Sequence, residues 1–174
     1  MLFRSHRLIA GLETGVTTPH SRRNGLNRQA LIARDYQVLA CDAEIGVDIF
    51  VKQRRSLLVF LQGHPEYGSE SLAREYRRDM GRFLRGEQET APSIPANYFP
   101  LELERSLADF AARARRERRA ELMSAFPDAG AAGPSEAPWR AAAIQIYGNW
   151  LGIIAERKAA SLENAPIAVT RRGG

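Results

Sequence analysis

The chain has 174 residues, 44% of them apolar and 26% charged, with 25 Lys plus Arg against 20 Asp plus Glu and a single cysteine, Cys41. One compact domain is expected, since roughly 100–200 residues bury enough surface to be stable alone. A lone cysteine excludes an intrachain disulfide and suits a reducing compartment. The longest apolar run, Ser56-Leu-Leu-Val-Phe-Leu61, is far short of the roughly 20 residues of a membrane helix. Charge interrupts Met1-Leu-Phe-Arg-Ser-His-Arg before any signal-peptide core develops, so a soluble, cytoplasmic protein with no membrane partner is expected.

The sequence pI of about 9.9 raises the possibility of a nucleic-acid partner. All of the 25 cations except Lys52 and Lys158 are arginines, dispersed along the chain apart from a cluster at Arg113, Arg115, Arg116, Arg118 and Arg119. A binding footprint concentrates charge on one face; dispersed arginines on solvated faces plus one charged helix account for this composition better.

Taken in chain order, Val38-Leu-Ala-Cys-Asp-Ala-Glu44 and Val47-Asp-Ile-Phe-Val51 read as two strands around a turn at Gly46. Leu57-Leu-Val-Phe-Leu61 is uniformly apolar and reads as a strand buried on both faces, as in a parallel sheet covered by helices. From 69 to about 84 the period becomes helical, with Leu72, Tyr76, Met80, Phe83 and Leu84 on one stripe, Ser69 as N-cap and Gly86 as the stop. The segment 90–100 carries three prolines and is a loop. A second helix is expected over 101–126, a flexible linker over 127–138, a last helix over 139–160 and a frayed tail over 170–174.

The chemistry concentrates at Gln62-Gly63-His64-Pro65-Glu66-Tyr67. A histidine just past a buried strand occupies the usual ligand position of open α/β sheets. Residues i and i+2 of an extended chain point the same way, so Glu66 can reach His64, fix its tautomer and free the other ring nitrogen as a general base. The same residues also suit a surface histidine beside an acid in a turn.

Gly63-His-Pro-Glu-Tyr67, Ser71-Leu-Ala-Arg-Glu-Tyr-Arg-Arg-Asp79 and Pro95-Ala-Asn-Tyr-Phe-Pro100 resemble the homoserine O-acyltransferase family, of the homoserine O-succinyltransferase type. Pro19-His-Ser-Arg22, Trp139-Arg140 and Asn149-Trp150-Leu151 extend the match in the family's order. The resemblance implies an α/β, flavodoxin-like fold related to class I glutamine amidotransferases, with helices flanking the sheet. It also implies acyl transfer from acyl-CoA, succinyl-CoA or acetyl-CoA, to the hydroxyl of L-homoserine in methionine biosynthesis through a cysteine thioester, with no metal and no bound cofactor. His64 resembles the catalytic base, Glu66 its orienting partner, and Ser21 and Arg78 the substrate-contacting serine and arginine. An arginine fork suits homoserine's carboxylate. By periodicity alone, however, Arg78 lies opposite the apolar stripe and is equally an exposed partner for Glu75.

Two departures stand out. Family enzymes need a cysteine on a tight strand-to-helix turn with backbone oxyanion donors, whereas Cys41 lies inside a predicted strand with no flanking glycine. The elbow and a substrate-binding lysine are therefore expected upstream of Met1, and the chain resembles roughly the family's C-terminal half. The stretch 101–138, which carries the arginine cluster, is longer than the family's link. The expected division is 1–100 as the C-terminal part of an acyltransferase-like domain, 101–138 as an Arg-rich helical insertion and linker, and 139–174 as the last helix and tail.

Three functions follow: an acyltransferase that is truncated or split, with an N-terminal half or a second copy as partner; a catalytically inactive remnant acting as a binding module; and an Arg-rich nucleic-acid binder. The third ranks last, because Tyr98, Phe99 and Phe110 are too sparse for a stacking platform.

Overall fold

The computed structural model describes residues 6–13, 15–22, 24–128 and 136–163. In chain order they form a 3-10 turn Arg7–Ile9, helix α1 Arg28–Ile32, strands β1 Gln37–Asp42, β2 Gly46–Gln53 and β3 Leu57–Leu61, helices α2 Ser71–Leu84 and α3 Leu101–Glu117, a 3-10 stretch Ala120–Ala125, and helix α4 Arg140–Glu163. The architecture is α/β, with one three-stranded antiparallel sheet among the described residues. Two compact units divide the chain: 1–16, 22–62 and 141–174 in one, 17–21 and 63–140 in the other. Among the described residues no helix is long and apolar enough to cross a membrane.

The first unit is built on the hairpin of β1 and β2. Gly46 takes φ +75°, the left-handed conformation that favours glycine, and the Asp42 carboxylate accepts the backbone N–H groups of Glu44 at 2.8 Å and Ile45 at 3.3 Å. Those bonds hold the Asp42 carboxyl below its usual range. Arg22 braces the same turn by donating to the carbonyls of Val47, at 2.9 Å, and Ile45.

Strand β3 corrects the expectation of a parallel arrangement. It pairs antiparallel with β2, Phe50 opposite Phe60. The link Arg54-Arg55-Ser56 is far too short for the crossover of a dozen or more residues that a parallel return requires. The uniform apolarity reflects contacts on both faces. Leu57, Val59 and Leu61 join Leu39, Ile49 and Val51 against Ile146 and Ile153 of α4 and Leu8 and Ile9 of the 3-10 turn. On the opposite face the Phe50 and Phe60 rings stack at 4.7 Å with Tyr36 edge-on to both. Leu58 is 43% exposed, so burial of the strand is incomplete. Asn149 of α4 donates to the carbonyls of Leu8 at 3.0 Å and Ala10 at 2.8 Å, pinning the 3-10 turn.

The second unit is organised by the α2 stripe. Leu72, Tyr76, Met80, Phe83 and Leu84 are all buried, together with Leu107, Phe110 and Ala114 of α3 and with Tyr98, Phe99, Leu122, Phe126 and Trp139. The expected C-terminal stop is present: Gly86 has φ +78°, and the Glu87 N–H bonds the Arg82 carbonyl at 2.9 Å. The start differs. Glu70, not Ser69, occupies the N-cap position and makes no side-chain capping bond. Ser69 instead gives its carbonyl to the Tyr98 hydroxyl, and Glu70 pairs with Arg74.

The second helix also ends earlier than expected, at Glu117, because Arg118 turns left-handed at φ 33°, ψ 62°. Its guanidinium donates to the carbonyls of Phe83 at 3.2 Å and Gln88 at 2.7 Å and lies 4.7 Å over the Phe83 ring. The turn redirects the chain so that Leu122 and Phe126, 3% and 8% exposed, re-enter the core. Arg113 and Arg119 both pair with Glu117, at 3.0 Å and 2.8 Å. Three arginines of the cluster are thus engaged within the molecule. Residues 129–135 of the expected linker and the tail 170–174 lie outside the described residues.

Candidate functional site

The His64 loop is fixed at three backbone points within the second unit. The His64 N–H donates to the Pro19 carbonyl at 2.8 Å, the Tyr98 hydroxyl holds the Ser69 carbonyl, and the Trp139 indole N–H donates to the Tyr67 carbonyl at 2.7 Å. Inside the loop, the Tyr67 N–H returns to the His64 carbonyl at 3.1 Å and closes a tight turn. Three of the sequence motifs, those holding Pro19, Tyr98 and Trp139, therefore converge as supports for the fourth.

Glu66 reaches His64, Nδ1 lying 2.9 Å from Glu66 Oε1, but across the tight turn at Pro65 and Glu66 and not along the extended chain from which the contact was expected. An ionised carboxylate only accepts, so opposite an ionised Glu66 the Nδ1 is the donor, and in the neutral imidazole Nε2 is then the acceptor nitrogen. The His64 side chain is 32% exposed and that of Glu66 54% exposed, so the pair is partly open to solvent.

Tyr67 packs against the same imidazole, with ring centroids 4.3 Å apart and planes within 14°. Its hydroxyl donates to Glu75 Oε1 at 3.0 Å. Burial, followed by the adjoining Glu75 carboxylate, pushes the Tyr67 hydroxyl up to about 12. Arg78 projects from the side of α2 opposite the core stripe, binds Asp79 through two bonds of 2.8 Å and 3.1 Å, and approaches the same Glu75 Oε1 at 3.7 Å. The hydrogen bond to Asp79 raises the Arg78 pKa above its ordinary value. Ser21 is exposed, two residues beyond Pro19.

His64 and Glu66 are thus in direct contact, while Arg78 is linked to that pair through Glu75 and Tyr67. Tyr67 was visible in the motif only as an aromatic residue beside the histidine, and Glu75 only as a possible partner of Arg78. Cys41 lies half-buried in β1, opposite Val47 and just past a register shift between Ala40 and Cys41, within the hairpin and not on a strand-to-helix turn. Among the described residues no three His, Cys, Asp or Glu side chains are grouped so as to hold a metal ion.

The homoserine O-succinyltransferase family model matches residues 1–160. A homoserine O-succinyltransferase of Methylorubrum extorquens is 48% identical over 154 residues, 88% of this chain and 46% of the relative. Proteins of the same name from Bradyrhizobium japonicum and Rhodopseudomonas palustris are 41% and 40% identical, over 86% and 83% of this chain and 45% and 43% of theirs. The chain spans about half the length of the curated relatives it matches. With the family's pattern matched over nearly the whole of its length, the chain belongs to the homoserine O-succinyltransferase family.

Proposed function

We propose that this chain supplies the homoserine-activating part of an acyl-CoA:L-homoserine acyltransferase of methionine biosynthesis, acting in the cytoplasm. The observation that carries the reading is the His64–Glu66 contact at 2.9 Å, in the same compact unit as Ser21 and Arg78, in a chain of this family. A cysteine thiolate outside the 174 residues attacks the acyl-CoA carbonyl and CoA leaves as thiolate; succinyl-CoA is the donor that the relatives' name suggests. His64 Nε2 then takes the hydroxyl proton of homoserine while the hydroxyl oxygen attacks the enzyme thioester. The new C–O bond forms, the C–S bond breaks, and the proton passes from His64 to the departing cysteine thiolate. Glu66 holds the imidazole and stabilises its charged form. Arg78 grips the substrate carboxylate by exchanging part of its Asp79 contact, and Ser21 contributes a hydrogen bond to the substrate.

In this reading residues 1–100 are the C-terminal part of a flavodoxin-like, glutamine amidotransferase-like domain, 101–138 an added helical segment and 139–174 the closing helix and tail. The partner is the complementary N-terminal half. To test it, the chain is mixed with the N-terminal half of the Methylorubrum relative, succinyl-CoA or acetyl-CoA, and L-homoserine, and free CoA is followed with a thiol reagent. Turnover is expected only on complementation, falling about 100-fold or more in His64→Ala and unchanged in Cys41→Ala. Turnover by the chain alone that Cys41→Ala abolishes would overturn the proposal.

A further inference from the structure

We propose that Tyr67 is a positioning residue that joins the general base to the carboxylate-binding arginine: its ring backs the His64 imidazole while its hydroxyl, through Glu75, is tied to Arg78. The inference rests on the acyltransfer reading of His64 and Arg78 and adds a physical link between them.

The link is a chain of direct contacts. The stacked rings lie 4.3 Å apart, the hydroxyl is 3.0 Å from Glu75 Oε1, and Arg78 Nη1 approaches that same oxygen at 3.7 Å. Glu75 Oε2 is buried without a hydrogen-bond partner, so Oε1 alone balances the carboxylate between tyrosine and arginine. A half-buried carboxylate with one oxygen already unpartnered leans harder on its remaining donor when it loses the other. Removing the tyrosine hydroxyl therefore draws Arg78 toward Glu75 and away from a substrate carboxylate. Removing the ring leaves one face of the imidazole unsupported while the Glu66 bond remains. Tyr67 is itself well anchored, because its carbonyl takes the Trp139 indole bond at 2.7 Å whatever its side chain.

The two halves of the role separate in two variants. Tyr67→Phe keeps the stack and loses the hydroxyl; Tyr67→Leu loses both. NMR of the His64 ring protons in the full chain reads the first half directly. The upfield ring-current shift should persist in Tyr67→Phe and disappear in Tyr67→Leu, with Trp139 fluorescence confirming that each variant folds. Glu75→Gln should move the His64 ring signals in the wild-type background, and by less than half as much in the Tyr67→Phe background. His64 signals that ignore Glu75→Gln, or move equally in both backgrounds, overturn the link. None of these measurements needs substrate. In the complemented enzyme, Tyr67→Phe should raise KM for L-homoserine about tenfold, the size of one hydrogen bond to a charged group, with kcat within about twofold. Tyr67→Leu should lower kcat as well, and equal kinetics for the two variants would overturn the division of roles. Intact NMR coupling without turnover counts against the acyltransfer reading and not against the link.

Discussion

Arg118 offers a sharp test of how the second unit is held, because its backbone and its side chain pull in opposite directions. A non-glycine residue at φ 33° costs roughly 1–2 kcal/mol. Against that, the guanidinium makes two bonds to the Phe83 and Gln88 carbonyls and covers the Phe83 ring. Partly exposed bonds from a charged donor together with a cation–π contact contribute about 2–3 kcal/mol. Arg118→Ala removes those contacts and keeps the strain, so a loss of about 2 kcal/mol is expected. Arg118→Gly removes the same contacts but relieves the strain; after the extra entropy of glycine, about 0.5–1 kcal/mol returns. The assay is urea unfolding followed by Trp139 fluorescence in a Trp150→Phe background, so that only the second unit reports. At an m-value of about 2 kcal/mol/M, alanine should lower the midpoint by about 1 M and glycine by visibly less. An alanine variant as stable as the parent, or a glycine variant less stable than the alanine one, would refute the reasoning.

Leu107 is fully buried, so Leu107→Ala should cost about 3 kcal/mol in the same assay; a loss below about 1 kcal/mol would mean that the site collapses around the gap. Asn149→Ala leaves the Leu8 and Ala10 carbonyls without their donor and should cost about 1–2 kcal/mol, read through Trp150 in a Trp139→Phe background. The Asp42 carboxyl is held below its ordinary value by the Glu44 and Ile45 N–H bonds. Its contribution is therefore complete above the unfolded-state value and lost as pH falls through the folded one. The stability gap between the parent and Asp42→Ala should be present at pH 7 and shrink steadily below about pH 4; a gap independent of pH would remove the carboxylate from the turn.

The sequence was most informative where one interaction dominated. The α2 stripe was legible because five large apolar residues at helical spacing leave one solution, and all five are buried. The β1–β2 hairpin was legible from Gly46 between two strand-like runs. The direction of β3 was misread from its apolarity, although the short polar link before it already required an antiparallel return. The end of α3 was hidden because the left-handed residue is an arginine, held there by carbonyls more than thirty places away in part, and no local glycine marks it. At the site, the His64–Glu66 contact was legible from the nearness of the two residues, although a turn and not an extended chain brings them together. Tyr67, Glu75 and the indole of Trp139 depend on the tertiary meeting of distant segments, which periodicity does not encode.

That meeting has a consequence for the order of assembly. The loop carrying His64 takes its shape from Pro19, which precedes it, from Tyr98, and from Trp139, which lies 72 residues beyond the carbonyl it holds. Contacts of such long sequence separation form late, because loop closure must come first. On a ribosome the His64 turn can be fastened by Pro19 early, but its last anchor arrives only after nearly four-fifths of these residues have been made. A nascent chain paused before Trp139 would expose the α2 stripe with its core unfinished, so this one indole couples completion of the reactive loop to completion of the hydrophobic interior.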